Sequence, residues 1–476
     1  MTIIKPAIAV AALAGALLGA AAQAQATLRP DQVAFRALYK DLVETDTSIT
    51  TGSCTLLADK VERHLRDAGY GDADITRFAV PDHPKEGGLV VILPGTSATL
   101  KPILLLGHLD VVVANRADWD RDPYRLIEEG GQFYGRGTAD MKAMDAVWID
   151  LMSRLKQGGT RYKRTLKLAL TCGEETSTAF NGAQWLSENR RDLIDAEFAL
   201  NEGGSGRTDG KGKVLTEQLH VGEKTPVNYR IEATNAGGHS SIPIADNAIY
   251  ELADALVKLR AYEFPVQFTD TTRAFFAKAG AARGDDLGKA MVVLATATPG
   301  SAEFAAAEAK VNADRGYHAL LRTTCVATLL DGGHANNALP QRAGANVNCR
   351  IFPGVTGEAV RATLETVIAD PRMTVKRTDL RGPDAKAPPL DPKILGPAEK
   401  LVAKYYPGVP LVPAMSAGAT DGVFLEAVGI PSYGPPGFYT NPDGNGVHGL
   451  NEHAIVAAVY TGRDLLNDLV REYASH

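Results

Sequence analysis

Ile103-Leu104-Leu105-Leu106-Gly107-His108-Leu109-Asp110 is a run of four aliphatic residues followed directly by glycine, histidine and, two residues on, an acid. A short apolar run of this kind reads as a β-strand. In open α/β sheets ligands bind beyond the carboxyl ends of the strands, so His108 and Asp110 stand where chemistry is expected. The arrangement recurs. Leu168-Ala169-Leu170 leads into Thr171-Cys172-Gly173-Glu174-Glu175, and Phe198-Ala199-Leu200 leads into Asn201-Glu202-Gly203-Gly204. Phe133-Tyr134-Gly135-Arg136-Gly137-Thr138-Ala139-Asp140 brings Asp140 to the front of a helical stretch, and Gly446-Val447-His448-Gly449 adds a late histidine.

Outward from these runs the chain alternates strand and helix. Val33–Asp67 has helical apolar spacing, ending at Gly69. Short β-type runs at Gly88–Leu93 and Pro102–Leu106 precede a helix over Ala143–Gln157, closed by Gly158-Gly159. Alternation of this kind predicts an α/β sheet with parallel members. Beyond residue 222 the texture changes. Strands are expected at Val227–Asn235, Leu321–Leu330, Ala343–Phe352 and Met373–Leu380, with helices at Ala245–Arg260 and Gly357–Ala369. That order is β-α-β-β-α-β, the ferredoxin-like order, with an Ala-rich helical insertion at 265–318. The Pro-rich stretch Gly382–Pro392 reads as a linker. The expected organisation is a discontinuous first domain, 27–221 plus 384–476, with a second domain inserted at 222–383.

The composition excludes several classes. Among 476 residues, 50 Lys plus Arg face 56 Asp plus Glu, a net charge of −6, so the basic footprint of a nucleic-acid binder is missing. A hydrophobic fraction of 45 % excludes a disordered chain. Residues 1–26 carry Lys5, an Ala/Leu/Gly-rich apolar run and the small-residue sites Ala22-Gln23-Ala24 and Ala24-Gln25-Ala26, the pattern of a secretory signal peptide. The run approaches spanning length, but its Ala/Gly content suits cleavage better than anchoring. The expectation is a secreted or periplasmic protein, free of the membrane after cleavage. Export permits disulfides. Of Cys54, Cys172, Cys325 and Cys349, the last two fall in apolar runs that would face each other if folded about Asn337. A Cys325–Cys349 bridge and two buried thiols are both consistent with this. There is no C-x-x-C spacing for a structural zinc site.

Carboxylates gathered at one sheet edge repel each other, and a pair of divalent cations offsets that repulsion. Two histidines with carboxylates suit Zn²⁺, Mn²⁺ or Co²⁺. Because Glu174 and Glu175 are adjacent, one can ligate while the other accepts a proton, although either alone could simply open a helix. In His108-x-Asp110 the two side chains share one strand face, which lets Asp110 orient the imidazole.

Taken in order, these motifs, together with Met141-Lys142, Gly237-Gly238-His239-Ser240-Ser241, Asn337-Ala338-Leu339-Pro340 and Arg350, resemble a known group. It is the two-zinc exopeptidase and deacylase family that includes glutamate carboxypeptidase G, succinyl-diaminopimelate desuccinylase, acetylornithine deacetylase, aminoacylase-1 and carnosinase. The resemblance implies a zinc-exopeptidase-like mixed sheet with helices on both faces and an inserted ferredoxin-like lid and dimerisation domain. It implies two Zn²⁺ per subunit, with Co²⁺ or Mn²⁺ as substitutes. His108, Asp140 and Glu202 would hold one ion; Asp140, Glu175 and His448 would hold the other. Glu174 would be the general base and Asp110 the residue that orients His108. The peptide bond after Asp140 would be cis. His239 would stabilise an oxyanion in the partner subunit of a homodimer. Asn337 and Arg350 would grip a free carboxylate, and Ser416-Ala417-Gly418-Ala419-Thr420-Asp421 would close on substrate, making Thr420 a substrate contact. The chain departs from relatives at Met141, at Glu202 (usually Asp in carboxypeptidase G-like and aminoacylase-like members) and at Asn348, and the insertion would alter lid shape or subunit contacts.

The function this implies is hydrolysis of an amide bond beside a free carboxylate. A carboxypeptidase or dipeptidase acting on peptides is favoured for an exported enzyme. An N-acyl amino acid deacylase is the alternative, followed by a two-zinc aminopeptidase and then by an inactive binding protein that keeps the fold.

Overall fold

The computed structural model describes residues 28–176, 180–378, 383 and 386–476. The signal-peptide assignment at 1–26 lies outside the described residues, as does part of the 382–392 linker. Among the described residues, no helix is long and apolar enough to cross a membrane.

The main sheet is built from β1 (Ile75–Val80), β2 (His83–Leu93), β3 (Ile103–His108), β4 (Leu166–Thr171), β5 (Phe198–Leu200), β6 (Gly206–Thr208) and β7 (Val214–Glu223). A second sheet uses β8 (Thr225–Thr234), β9 (Thr324–Gly332), β10 (Arg342–Ile351) and β11 (Met373–Arg377). The chain then returns to the main sheet with β12 (Leu411–Ser416), β13 (Ser432–Gly434) and β14 (Tyr439–Thr440). The main sheet runs β1-β2-β4-β3-β5-β13-β7-β6-β14, with β12 also on β7. β3 is parallel to both β4 and β5, whereas β2 is antiparallel to β4, so the sheet is mixed.

All six residues of β3 are buried, as its unbroken apolar run requires. Alternate residues serve opposite faces. Ile103 and Leu105 join Leu89, Val91 and Leu168 in a core covered by α1 (Pro30–Val43), α2 (Cys54–Asp67), α3 (Lys142–Gln157) and two later helices, Pro392–Tyr405 and Val456–Ala474. Leu104 and Leu106 join Val90 and Ala169 beneath Leu186, Leu193 and Leu425 on the other face. The expected helices on both faces are present.

Val33–Asp67 is not one helix. The chain breaks between Val43 and Cys54 because short polar side chains take over the backbone's hydrogen bonds. Asp46 accepts from the Ser48 N–H and hydroxyl and from Thr51, and Ser53 caps α2 by accepting from the Leu56 N–H.

Lys224 connects the two sheets. The second sheet runs β9-β10-β8-β11 and is antiparallel throughout. Ala343, Ala345, Val347, Cys349 and Ile351 of β10 point toward the helices Ala248–Ala261 and Gly357–Ile368. Asn346, Asn348 and Arg350 alternate with them and so lie on the opposite face. The insertion forms four helices, Asp270–Arg283, Asp286–Thr296, Ala302–Val311 and Arg315–Leu320. Its core of Phe275, Phe276, Met291 and Leu294 packs against Val412 of β12, and Lys278 pairs with Glu399 at 2.7 Å. The insertion is therefore seated on the main sheet, which composition alone could not indicate.

Two disulfides are present. Cys325 and Cys349 lie directly opposite on β9 and β10. Cys54 at the start of α2 joins Cys172 just after β4, across 118 residues. Thiol titration of denatured, unreduced mature protein should find no free thiol, and four would overturn both bridges. Loop entropy gives the longer bridge about 5 kcal/mol and the shorter about 3. Replacing Cys54 and Cys172 by Ala should therefore lower the denaturant midpoint more than replacing Cys325 and Cys349.

Candidate active site

His108 is the last residue of β3, Glu174 and Glu175 follow β4, and Glu202 follows β5, so three adjacent strands present them at one edge. Asp140 precedes α3, which can approach β3 closely only because residue 107 is glycine. A Cβ there would stand 2.0 Å from the Asp145 carboxylate. The Asp140–Met141 peptide bond is cis.

Asp140 sits between two groups. Its Oδ1 lies 3.2 Å from His108 Nε2, which is itself 3.6 Å from Glu202 Oε1. Its Oδ2 lies 3.2 Å from His448 Nε2, which is 2.8 Å from Glu175 Oε2. Within each triad the ligand atoms lie within 4.8 Å of one another. His448 holds its place with a left-handed backbone (φ 60°), an uncommon conformation for a side chain of this size.

His108 Nδ1 is 3.1 Å from the Asp110 carbonyl oxygen and 3.7 Å from the Asp110 carboxylate. Donation to that carbonyl leaves Nε2 as the electron-pair donor toward Asp140 and Glu202. The Asp110 carboxylate instead accepts from the Glu175 N–H at 3.1 Å. One residue thus positions a ligand from each triad.

The charges are poorly balanced without a cation. Burial, with Asp140 next to it, pushes the Glu202 carboxyl up to about 7. Burial, together with Glu202, also raises Glu174 well above the usual carboxylate range. Hydrogen bonds to Asp140 and Glu175 raise His448 to about 10. Convergent acids and imidazoles that share one carboxylate match the oxygen and nitrogen donor set of a divalent pair. Among the described residues, the one further group with sufficient spacing, Cys54, Asp110 and Cys172, has its sulfurs tied up in the disulfide.

His239, Asn337 and Arg350 belong to the second sheet's domain and are not members of either triad. His239 is exposed and bonded to Ser241, and its short strand pairs with Ala338-Leu339, which places Asn337 beside it. Arg350 is half-buried on β10. Thr420 donates its hydroxyl to Glu223 and accepts from Asn201, the residue before Glu202. Asp421 is buried and accepts from Thr171 and Asn181.

Sequence reasoning missed Glu452. It is 1 % exposed and accepts from the N–H groups of Gly137 (3.0 Å), Ala139 (2.9 Å) and Asp140 (3.1 Å) and from Arg136 (2.8 Å). Arg136 also donates to the Gly449 carbonyl. The loop that aims Asp140 is thereby fastened to the segment that carries His448. The one available signal was an acid four residues after that histidine.

Two triads sharing a carboxylate on a mixed α/β sheet define a dinuclear metal-binding hydrolase. The chain belongs to Peptidase family M20/M25/M40, whose sequence profile matches residues 104–472. It is 28 % identical over 408 residues to the N-fatty-acyl-amino acid synthase/hydrolase PM20D1 of Homo sapiens, covering 83 % of this chain and 79 % of that protein. It is 24 % identical over 407 residues to aminoacylase-1B of Rattus norvegicus, covering 82 % and 84 %. The M20 family metallo-carboxypeptidase Sso-CP2 from Sulfolobus solfataricus shares the fold, with a TM-score of 0.67 at 17 % identity, over 94 % of this chain and all of that one.

Replacing Glu452 by Gln sets an amide N–H₂ against backbone donors. It should weaken divalent-metal affinity about ten- to a hundredfold, the usual cost of losing an outer support. Chelator competition on folded protein measures this, and an affinity within twofold of wild type would remove Glu452 from that role.

Proposed function

We propose that the protein hydrolyses the amide bond of N-acyl amino acids, gripping the free carboxylate of the amino-acid half. The observation that carries this is Arg350. It is half-buried on the helix-free face of the second sheet and has no carboxylate partner among the described residues. Burial, with Arg350 nearby, pushes Lys224 down to about 7, so the surroundings are short of negative charge. A guanidinium in that position suits a carboxylate, and Asn337 adds a donor. Both relatives compared by sequence carry acyl-amino-acid chemistry in their names, which moves the preference from peptides to N-acyl amino acids. Zn²⁺ is the proposed metal, with Co²⁺ or Mn²⁺ as substitutes.

A divalent pair in the two triads would supply an acidified water and a polarised carbonyl. The remaining work falls to side chains. Glu174, held in a buried and acid-rich setting, takes the proton of the attacking water and returns it to the leaving amine. Arg350 and Asn337 fix the carboxylate, and His239 donates to the developing oxyanion.

His239 is proposed to act on the neighbouring subunit of a homodimer. In support, β9 is an edge strand exposing Val326, Leu329 and Leu330 at 61 %, 69 % and 70 %, and an apolar edge invites pairing with another chain. Export is proposed from the sequence of residues 1–26, and two disulfides accord with it.

Glu174→Gln should lower kcat by about 10²–10⁴-fold while metal content, read by elemental analysis, is kept; turnover within tenfold of wild type would rule out this base. Arg350→Ala should cost on the order of 10²-fold in kcat/KM on N-acyl amino acids and much less on their carboxamides. Equal loss on both, or cleavage that needs a free amine, would favour the aminopeptidase reading; cleavage confined to peptides would restore the carboxypeptidase.

If His239 works across the dimer, unfolding Glu174→Gln and His239→Ala together and refolding the mixture should recover about a quarter of wild-type activity, because half of the random pairs carry one intact site. No recovery from a mixture that sedimentation shows to be dimeric would place His239 within its own subunit.

A further inference from the structure

We infer that the cavity behind Asp140 and Glu202 is the acyl-chain pocket and that it selects neutral, apolar acyl groups of up to about six carbons. This rests on the N-acyl amino acid reading above and sharpens it.

The cavity has a volume of about 210 Å³ and is bounded at one side by Asp140 and Glu202, a ligand pair of the first triad. Its apolar wall comes from Met141 and Met144 at the start of α3, Ala458 and Val459 in the helix Val456–Ala474, and Phe438 and Ile455. Met141, Met144, Ala458 and Val459 are at most 5 % exposed, so the inner end is closed by packed core. A bound chain would therefore run inward from the reacting carbonyl and stop.

Three features identify the occupant. No described residue of 222–383 lines the cavity, so neither Arg350 nor Asn337 belongs to its wall and it suits the other half of the substrate. Apart from Asp140 and Glu202 no described Asp or Glu lines it. A free α-amino group would find no carboxylate there that is not already a metal ligand, and an unpaired buried charge is costly. A neutral acyl group meets no such penalty. The volume sets the length. An apolar protein cavity of about 150 Å³ admits benzene, and a water occupies about 30 Å³, so the 210 Å³ here suits one ring or a straight chain of about six carbons. Two methionines give the wall some latitude in shape.

The test is a series of N-acyl amino acids with one amino-acid half and straight acyl chains from acetyl to dodecanoyl, assayed on the metal-loaded mature protein. Burial of methylene groups predicts a rise in kcat/KM of roughly fourfold per carbon up to about hexanoyl, followed by a plateau or a fall. Ala458→Leu, which fills the cavity, should lower the hexanoyl-to-acetyl ratio of kcat/KM at least tenfold. Ala454→Leu, on the partly exposed rim, should do the same and covers the case in which the deeper substitution disturbs the helix. The ratio is internal to each variant, so loss of folded protein cannot imitate the effect.

A series flat within threefold from acetyl to hexanoyl, with acetyl cleaved, would overturn the pocket and leave the proposed reaction standing. A rise continuing to dodecanoyl would overturn the length limit, and an unchanged ratio in both variants would overturn the location. No cleavage of any N-acyl amino acid would remove the proposed reaction itself, and the pocket assignment with it.

Discussion

Asp140 has two carboxylate oxygens and must aim them in different directions. One faces His108 and Glu202, the other His448 and Glu175. A carboxylate shared in this way tolerates little rotation, so the backbone beneath it has to be immobilised. The Glu452 side chain does this by accepting three N–H bonds from one loop, and Arg136 neutralises the acid and reaches on to Gly449. Residues more than three hundred positions apart in sequence are thus joined at the base of the site. Bonds of this kind are worth more in a buried setting than at the surface, and leaving one partner unpaired there costs more than the bond contributes. Removing one member therefore leaves its buried partners unsatisfied and loosens the loop beneath Asp140.

The sheet solves the rest of the placement problem by register. β3, β4 and β5 are parallel neighbours, so whatever follows each strand arrives at the same edge. This is why the metal-ligand candidates were legible in the sequence. An apolar run announces a buried strand, and the next polar residue announces the edge. The ferredoxin-like order of the inserted segment was legible for a similar reason, since strand alternation and helix periodicity are local signals. The fold class and the family likewise follow from ordered local motifs.

What was not legible depends on long-range pairing or on the main chain. Glu452 bonds backbone amides, and amides have no identity in a sequence. Cys54 and Cys172 are separated by 118 residues, with no shared pattern to join them. The break between Val43 and Cys54 arises from Asp46, Ser48, Thr51 and Ser53 competing for backbone hydrogen bonds, against helical spacing that continues on both sides. The seat of the helical insertion depends on Val412, a residue far beyond it in the chain that itself reads only as strand. Asp110 is an intermediate case. The spacing correctly placed it beside His108, but the atom nearest the imidazole is its carbonyl, while its carboxylate secures Glu175.

The two sheets carry different parts of the candidate site. The main sheet presents the two triads, Glu174 and the largely apolar cavity, while the segment of the second sheet carries Arg350, Asn337 and His239. Under the proposed reaction, an amide lying at the triads would extend its acyl half into the cavity beside the main sheet and its carboxylate half toward the second sheet. Under that reading, chemistry and acyl selection would share one core, because the cavity wall and Asp140 rest on the same helix start at Met141 and Met144. The proposed recognition of the carboxylate would depend instead on how the second sheet is held. There the helical insertion matters: packed on β12 and paired through Lys278 to Glu399, it ties the second sheet's segment to the main sheet in addition to the strand connection at Lys224. A further attachment restricts relative motion, so the packing of Phe275, Phe276 and Met291 adds to the strand connection in holding the second sheet's segment. Under the proposed reaction, acyl-chain preference and carboxylate preference are then separable properties, each governed by a different core.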